Sequence, residues 1–298
     1  MFINKKILII ADYDPNHISG MTTHLHYLKT YFSDQNTVHL QKNATLKQIY
    51  KNNIIWFRTE RGFIKYVLFC ILFRKKIIYD LSSFSWIEFK ANHRSWIRTC
   101  LSLISFRLAI KTAEIRVLSQ LMQEYLIDHF YIPKGKIFVL PIPVKIDIFP
   151  QKIRNNGKIH FIYMGSNAVW QGLSNLFKAF NQIESETDYV LECYGINHPN
   201  TKNIYFHEAV SHDQLIDIVS NQIDVVVIPR EKNEITETVM PLKYAEAIYL
   251  NKYILVTEMK IFHEMKNDKV VFIKNNHVDT LIEGIKSFKD IFQSESNV

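Results

Sequence analysis

Cysteine is scarce in this sequence, because the 298 residues contain only three, at positions 70, 100 and 193. An odd number of widely spaced cysteines argues against a disulfide framework and against a cysteine-based zinc site. The twelve histidines never take the His-x-x-x-His or His-Glu-x-x-His spacing typical of zinc enzymes. We therefore expect no metal site, and a reducing cytoplasm is the simplest location for the chain.

Long apolar runs are also missing. The longest, residues 66–73, is followed at once by three basic residues at 74–76 and falls far short of the ~20 residues that a membrane span requires. Neither a Gly-x-Ser-x-Gly nucleophile elbow nor a Walker phosphate loop occurs. With 47% hydrophobic and 22% charged residues, the composition indicates an ordinary globular protein.

Charge is divided unevenly along the chain. Residues 1–150 contain 21 Lys and Arg against 10 Asp and Glu, a net charge of +11, whereas residues 151–298 contain 15 against 19, a net charge of −4. A cationic half favours an anionic partner, either a lipid surface or nucleic acid. Because no recognition-helix or RNA-binding signature accompanies the charge, we expect no nucleic-acid partner.

Predicted strands and helices alternate in both halves, and the length fits two domains of about 150 residues. Strands are predicted at 6–11, 38–40, 54–57, 76–80, 115–118, 160–164, 189–194, 204–207, 224–230 and 253–257. This alternation predicts parallel sheets with helices on both faces. Each half opens with a strand, a glycine loop and a helix. We therefore predict two facing Rossmann-like α/β domains, 1–150 and 151–298, joined by a linker around 149–157.

Residues 224–247 combine a buried strand, a polar loop and the start of a helix. Pro241 fits the first turn of that helix, which places Lys243 and Glu246 on one face. In open α/β sheets, ligands bind at the carboxyl ends of the strands. Lys243 and Glu246, beside Arg230, can therefore hold a phosphate and a ribose hydroxyl together. A solvated Lys–Glu pair on a helix surface is the alternative.

Four segments follow one another in an order that is typical of one enzyme family. They are an opening strand and glycine loop at 6–22, a strand, helix and Pro-Lys stretch at 117–141, a glycine loop at 162–172, and a Pro-x-Lys-x-x-Glu signature within 229–247. With these segments the sequence resembles the retaining nucleotide-sugar glycosyltransferases of the glycosyltransferase-B (GT-B) fold, family 4-like, group 1.

The resemblance implies a hexosyltransferase-type enzyme that moves a sugar from a nucleotide-diphosphate donor to a glycan or lipid-linked acceptor. It further implies bacterial-type surface polysaccharide synthesis, retention of anomeric configuration, and no metal or other cofactor. Residues 1–150 would bind the acceptor and residues 151–298 the donor. The donor-binding residues implied in this way are Gly20, Gly165, Ser166, Arg230, Thr238, Lys243 and Glu246.

The donor half departs from the family pattern at two positions. Thr238 stands eight residues before Glu246, where the commoner signature has its first glutamate. Glu234 and Glu237 lie nearby, and of these two Glu237 is the candidate for the sugar-side carboxylate. Gln171 stands where a lysine often precedes the glycine of the phosphate loop. Arg230 and Lys243 are then the cations that remain for the pyrophosphate.

The acceptor half also departs from the pattern, because no histidine follows the strand at 76–80. Asp80, or Glu88 a little further on, is the candidate for the base that deprotonates the acceptor. Together with the departures in the donor half, this leaves one alternative open, a catalytically inactive glycosyltransferase-like scaffold or partner subunit.

Residues 63–76 and 96–107 mix large apolar side chains with Lys and Arg. Core helices flanked by solvated cations have this composition. So does an interfacial surface that places the first domain on anionic lipid, where a lipid-linked acceptor would be found. On the second interpretation the chain is cytoplasmic and peripheral at the inner face of the cell membrane.

Overall fold

The computed structural model describes residues 2–12, 20–91, 96–146, 157–186, 188–234 and 236–296. The chain divides into two compact units, Met1–Lys145 and Ile146–Val298, and each contains a six-stranded parallel sheet. The predicted α/β fold with two parallel sheets is thereby confirmed. The predicted division at 150/151 falls among residues 147–156, which lie outside the described residues.

The first unit alternates strands and helices along the chain. Its strands are β1 (Lys6–Ala11), β2 (Thr37–Gln41), β3 (Ile54–Arg58), β4 (Lys76–Asp80), β5 (Glu114–Val117) and β6 (Ile137–Val139). Its helices are α1 (Gly20–Ser33), α2 (Leu46–Lys51), α3 (Glu60–Leu72), α4 (Ser85–Ala91), α5 (Trp96–Thr112) and α6 (Gln120–Phe130). The strand order is β2-β1-β3-β4-β5-β6, so the winding reverses between β1 and β3.

The second unit repeats this plan. Its strands are β7 (Ile159–Met164), β8 (Tyr189–Tyr194), β9 (Ile204–His207), β10 (Val225–Ile228), β11 (Tyr253–Thr257) and β12 (Val270–Ile273). Its helices are α7 (Leu173–Gln182), α8 (His212–Gln222), α9 (Leu242–Tyr249) and α10 (Val278–Ser296). The strand order is β12-β11-β10-β7-β8-β9, so the winding reverses between β7 and β10.

Continuous apolar runs form the central strands because both faces of each sheet are covered. In β1, Leu8 and Ile10 belong to one buried cluster, whereas Ile7 and Ile9 belong to another. Successive side chains of a strand point to opposite faces, so a run without polar interruptions indicates a strand buried on both. No helix among the described residues is long and apolar enough to cross a membrane.

The structure contains two edge strands, β6 and β12, that are not among the ten strands predicted above. β12 pairs in parallel with β11, and three of its four residues are only half-buried. Its four apolar residues, Val270–Ile273, are a run typical of a strand and are visible in the sequence. The ten predicted strands occur within a few residues of their predicted positions.

Candidate functional site

Two loops of the second unit leave the sheet where its winding reverses. β7 and β10 are neighbours, and the chain continues from them to opposite sides of the sheet. Loops at the carboxyl ends of such a strand pair diverge and leave a crevice, the usual ligand site of open α/β sheets. The loop after β7 begins at Gly165 and the loop after β10 begins at Pro229. The helix that follows the second loop, α9, carries Lys243 and Glu246.

Lys243 lies inside this region and not on the surface. Its side chain is buried, and its Nζ donates hydrogen bonds to the carbonyl oxygen of Met164 and to Oε1 of Gln171, each at 3.2 Å. The same Nζ lies 4.4 Å from the centre of the Tyr163 ring, which is a cation–π contact. The alternative of a solvated Lys–Glu surface pair is therefore wrong.

The surroundings of Lys243 disfavour its charged form. Burial lowers the pKa of Lys243 well below the ordinary value of 10.5, and the positive charge of Arg230 lowers the pKa further. Both effects have the same sign, because an ammonium group loses its hydration and gains a cationic neighbour. The two oxygens that accept its hydrogen bonds are neutral. An anionic ligand beside Lys243 and Arg230 would oppose both effects.

Gly165 brings backbone close to Lys243. Its φ of +137° lies in a region that glycine adopts readily. A Cβ at this position would lie 3.5 Å from Nζ of Lys243 and from Oη of Tyr163. The Tyr163 hydroxyl donates a 2.8 Å hydrogen bond to the carbonyl oxygen of Ser166, and burial raises the pKa of that hydroxyl. Tyr163 thus contacts both Lys243 and the loop that carries Gly165 and Ser166.

The start of α7 packs tightly on the loop after β10. Gly172 has a φ of +72°, and a Cβ there would lie 1.8 Å from the carbonyl oxygen of Pro229. The backbone N–H of Glu231 donates to the carbonyl oxygen of Trp170 at 3.0 Å. Only glycine fits this approach, which holds the loops after β7 and β10 together and places Gln171 against Lys243.

Glu246 is paired with His212, a residue that no motif of the sequence indicates. The Glu246 side chain is buried, and its Oε1 lies 2.7 Å from Nε2 of His212. His212 is the first residue of α8, where Ser211 and Gln214 form a capping box. Such a cap satisfies backbone N–H groups at the helix start and fixes where the helix begins. The two partners are 34 residues apart, so no local spacing signals the pair.

The loop between β10 and α9 contains the other predicted donor-side residues. Nη1 of Arg230 donates to the carbonyl oxygen of Val239 at 3.3 Å. The Thr238 hydroxyl donates to the carbonyl oxygen of Glu234 at 3.0 Å, so this hydroxyl closes a turn within the loop. Glu237 is half-buried. Their predicted roles toward the sugar and the diphosphate remain predictions.

In the first unit, Asp80 lies at the end of β4 in a buried ion cluster. Its Oδ1 accepts a 2.8 Å hydrogen bond from Arg116, and its Oδ2 accepts hydrogen bonds from Arg58 at 3.3 Å and from the Trp56 indole at 3.0 Å. Burial alone would raise the pKa of Asp80, but the Arg116 and Arg58 guanidiniums together hold it well below its usual range. A carboxylate with so low a proton affinity is a poor general base, which argues against the predicted role of Asp80.

His24 of α1 completes the cluster. Its Nε2 lies 3.1 Å from Nη1 of Arg116 and 3.3 Å from Nη1 of Arg58. Guanidinium nitrogens only donate, so this Nε2 accepts and the imidazole is neutral. Burial lowers the pKa of His24 well below its ordinary value, and Arg58 and Arg116 add to the effect. The cluster stands at the carboxyl ends of β3, β4 and β5.

Two predicted residues of the first unit are described only in part. Glu88 lies on α4, but its side chain is outside the described residues. Gly20 is the first residue of α1, and the loop before it, residues 13–19, is likewise outside them. The predicted roles of Glu88 and Gly20 therefore stay predictions.

A cleft of about 170 Å³ opens beside the reversal point of the first sheet. Its lining residues follow β1 and β3 or belong to α3, α4 and α5, and they are Asp12, Thr59, Glu60, Arg61, Phe89, Arg98 and Leu101. Two carboxylates, two guanidiniums and an aromatic ring suit a polar ligand with an apolar face. Among the described residues, no group of three or more His, Cys, Asp or Glu is arranged to hold a metal ion.

Comparison with known families assigns the second unit. Residues 144–291 match the family described as Glycosyl transferases group 1. The match contains β7, β10 and α9, and with them Gly165, Arg230, Lys243 and Glu246. No curated protein matches the sequence.

Solved glycosyltransferase structures share the fold of the whole chain. HepE from Anabaena, in complex with UDP and glucose, has a TM-score of 0.72 at 12% identity, over 97% of this chain and 91% of HepE. A glycosyltransferase from Rickettsia africae has a TM-score of 0.69 at 14% identity, over 98% and 89%. Sucrose-phosphate synthase from Thermosynechococcus elongatus has a TM-score of 0.67 at 11% identity, over 96% and 90%. At these identities the likeness establishes the fold: the chain has the GT-B fold of these glycosyltransferases, and its residues 144–291 match the Glycosyl transferases group 1 family.

Proposed function

We propose that the protein is a glycosyltransferase that takes its sugar from a nucleotide-diphosphate donor, which binds at the crevice between β7 and β10. The observation that carries the proposal is the burial of Lys243 and Glu246, three residues apart on α9, at the reversal point of the sheet. Burying a cation and a carboxylate costs free energy, and ionisable groups kept in such surroundings are common at functional sites. HepE, which has the same fold, binds UDP and UDP-glucose, and this supports a nucleotide as the ligand.

In the proposed donor site, the cations bind the diphosphate and the carboxylate binds the ribose. Breaking the bond between the anomeric carbon and the diphosphate oxygen leaves negative charge on the diphosphate. Lys243, Arg230 and the backbone of the Gly165–Ser166 loop would stabilise that charge. Glu246 would accept hydrogen bonds from the ribose hydroxyls, as acidic residues do in dinucleotide sites.

In this proposal the transfer is retaining and metal-independent. Fixed cations already in the site neutralise the leaving group, which removes the need for a divalent ion. The acceptor hydroxyl forms the new bond to the anomeric carbon and gives its proton to a base, for which Glu88 is the remaining candidate, while Glu237 is the candidate for the carboxylate beside the sugar. Undiminished turnover in excess EDTA supports metal independence, whereas loss that Mg²⁺ or Mn²⁺ restores contradicts it.

The acceptor is proposed to be a glycan or a lipid-linked saccharide of surface polysaccharide synthesis. This proposal draws on the exposed apolar side chains of α3 and α5, which include Leu68, Leu72, Trp96, Ile97 and Ile104. Lys65, Arg98 and Arg107 are exposed on the same two helices. Apolar residues interleaved with cations suit the interface of an anionic bilayer, where a lipid-linked acceptor would be presented.

The donor proposal is tested by calorimetric binding of a panel of nucleoside diphosphates to the full chain. At least one member should bind, and Lys243→Met should weaken that binding at least tenfold, the loss typical of a charge-assisted contact. If no member binds, the donor proposal is wrong. Hydrolysis or transfer from the matching nucleotide sugar then separates turnover from binding alone, which is what the scaffold alternative predicts.

A further inference from the structure

We propose that His212 is a positioning residue that holds the Glu246 carboxylate in the orientation that the donor ribose requires. The inference deepens the proposed function and rests on it, because it assigns the ribose to Glu246. Within that site it adds a residue from a different helix, α8, which the Pro-x-Lys-x-x-Glu signature does not contain.

The side chains of His212 and Glu246 form a close pair. Nε2 of His212 lies 2.7 Å from Oε1 of Glu246, and the side chains are 25% and 5% exposed, respectively. An ionised carboxylate only accepts hydrogen bonds, so Nε2 carries the hydrogen. The contact is short and charge-assisted, which places it among the stronger side-chain hydrogen bonds.

The backbone of the donor residue, His212, is held in place by hydrogen bonds at the start of α8. His212 follows the N-cap Ser211, whose side chain accepts from the backbone N–H of Gln214, while the Gln214 side chain accepts from the backbone N–H of Ser211. This box fixes the start of α8 and therefore the backbone of His212. A glutamate that binds hydroxyls without such support loses side-chain entropy on binding. A carboxylate that is oriented beforehand avoids that loss.

Two carboxylates, those of Asp213 and Glu246, approach the imidazole of His212, and Glu246 interacts with it more strongly. On its own helix, Asp213 approaches Nδ1 of His212 at 3.8 Å, but the Asp213 side chain is fully exposed, so water screens it. Glu246 approaches from α9 and is almost fully buried, so its interaction with His212 is screened far less. Pairing His212 with Glu246 fixes one carboxylate oxygen and with it the plane of the group.

The test uses UDP together with 2′-deoxy-UDP, or the corresponding pair for the base that binds in the panel. Wild-type protein should prefer the ribo form. His212→Leu should weaken binding of the ribo form about tenfold and bring the two affinities together, and Glu246→Gln should do the same. In turnover, the donor KM should rise while kcat stays within about threefold, as expected when uniform binding is lost.

Two further variants separate positioning from a general structural effect. His212→Gln keeps an N–H donor and should retain most of the ribose preference. His263→Leu removes the histidine of an exposed pair, in which Nε2 lies 3.9 Å from Oε1 of Glu258, and should change nothing. The inference is overturned if His212→Leu keeps wild-type affinity and ribose preference. Failure of the wild-type protein to bind any nucleotide overturns the proposed function itself.

Discussion

Nη1 of Arg116 lies 2.8 Å from Oδ1 of Asp80, and neither side chain is exposed. Arg116 also donates through Nε to the carbonyl oxygen of Leu140 and through Nη2 to that of Pro141. The ion pair therefore ties the ends of β4 and β5 to the segment that follows β6. A group with these contacts stabilises the first unit, and its removal should act on folding before it acts on chemistry.

We predict that Asp80→Asn lowers the free energy of unfolding by about 3 kcal/mol, because it leaves buried guanidiniums without a counter-charge. The Asp80 pKa is lowered in the folded state, so its stabilisation is present above the unfolded value of about 3.9 and is lost as pH falls through the folded value. The difference between wild type and variant should thus shrink below about pH 4. Urea unfolding followed by tryptophan fluorescence, to which Trp56 beside Asp80 contributes, measures both. An equal difference at all pH values would contradict the ion-pair interpretation.

The ion cluster around Asp80 could not be predicted from the sequence, although the strands that carry it could. The strands that carry the cluster, β3, β4 and β5, were predictable because each is an apolar run with a turn after it. The cluster was not, because Asp80 meets Arg58 and Arg116 from 22 and 36 residues away, and His24, which contacts both arginines, lies 56 residues before Asp80. Parallel pairing of β3, β4 and β5 places their carboxyl ends side by side. Asp80 was identified as a candidate, but only the fold shows what its oxygens contact.

The donor site was predictable in part for a related reason. Lys243 and Glu246 lie within one motif, so their spacing and the preceding Pro241 were visible in the sequence. Their partners Gln171 and His212 lie 72 and 34 residues away, and each depends on how a helix packs at the sheet edge. Gln171 stands where a lysine often occurs in the family, and in the structure Oε1 of its amide accepts a hydrogen bond from Lys243.

We predict that Lys243→Met changes the stability of the protein only slightly, although it weakens nucleotide binding. The variant removes a buried ammonium but leaves two carbonyl acceptors without their donor, and these effects oppose each other, so the free energy of unfolding near pH 7 should change by no more than about 2 kcal/mol. The depressed Lys243 pKa means that the unfolded chain binds the extra proton. Wild-type stability should therefore gain a contribution as pH rises toward the unfolded value of about 10.4, and the variant should lack it. Chemical unfolding of both proteins between about pH 7 and 10 measures the difference, which would be flat if Lys243 were solvated.

We predict that Gly172→Ala disrupts the site, because its Cβ would clash with the Pro229 carbonyl oxygen. Adjustment of two packed loops should cost about 2–4 kcal/mol, and nucleotide affinity should fall since Arg230 follows Pro229. Gly195→Ala is the matched control, with a φ of +79° and nothing within 4 Å of its Cβ. It should cost only the ~1 kcal/mol of a left-handed backbone and leave affinity unchanged. Thermal unfolding and calorimetry measure both effects, and equal losses in the two variants would contradict the packing argument.

We predict that the exposed apolar faces of α3 and α5 bind an anionic membrane surface. Vesicles containing phosphatidylglycerol should sediment the protein, neutral phosphatidylcholine vesicles should do so far less, and salt should weaken the binding. Replacing Leu68 and Leu72 by serine should reduce binding several-fold without loss of stability, because these side chains are 73% and 72% exposed. Tyr131→Ser, at a side chain that is 87% exposed after α6, should leave binding unchanged. Equal binding by all three proteins would assign the attraction to net charge alone and remove these helices from the interface.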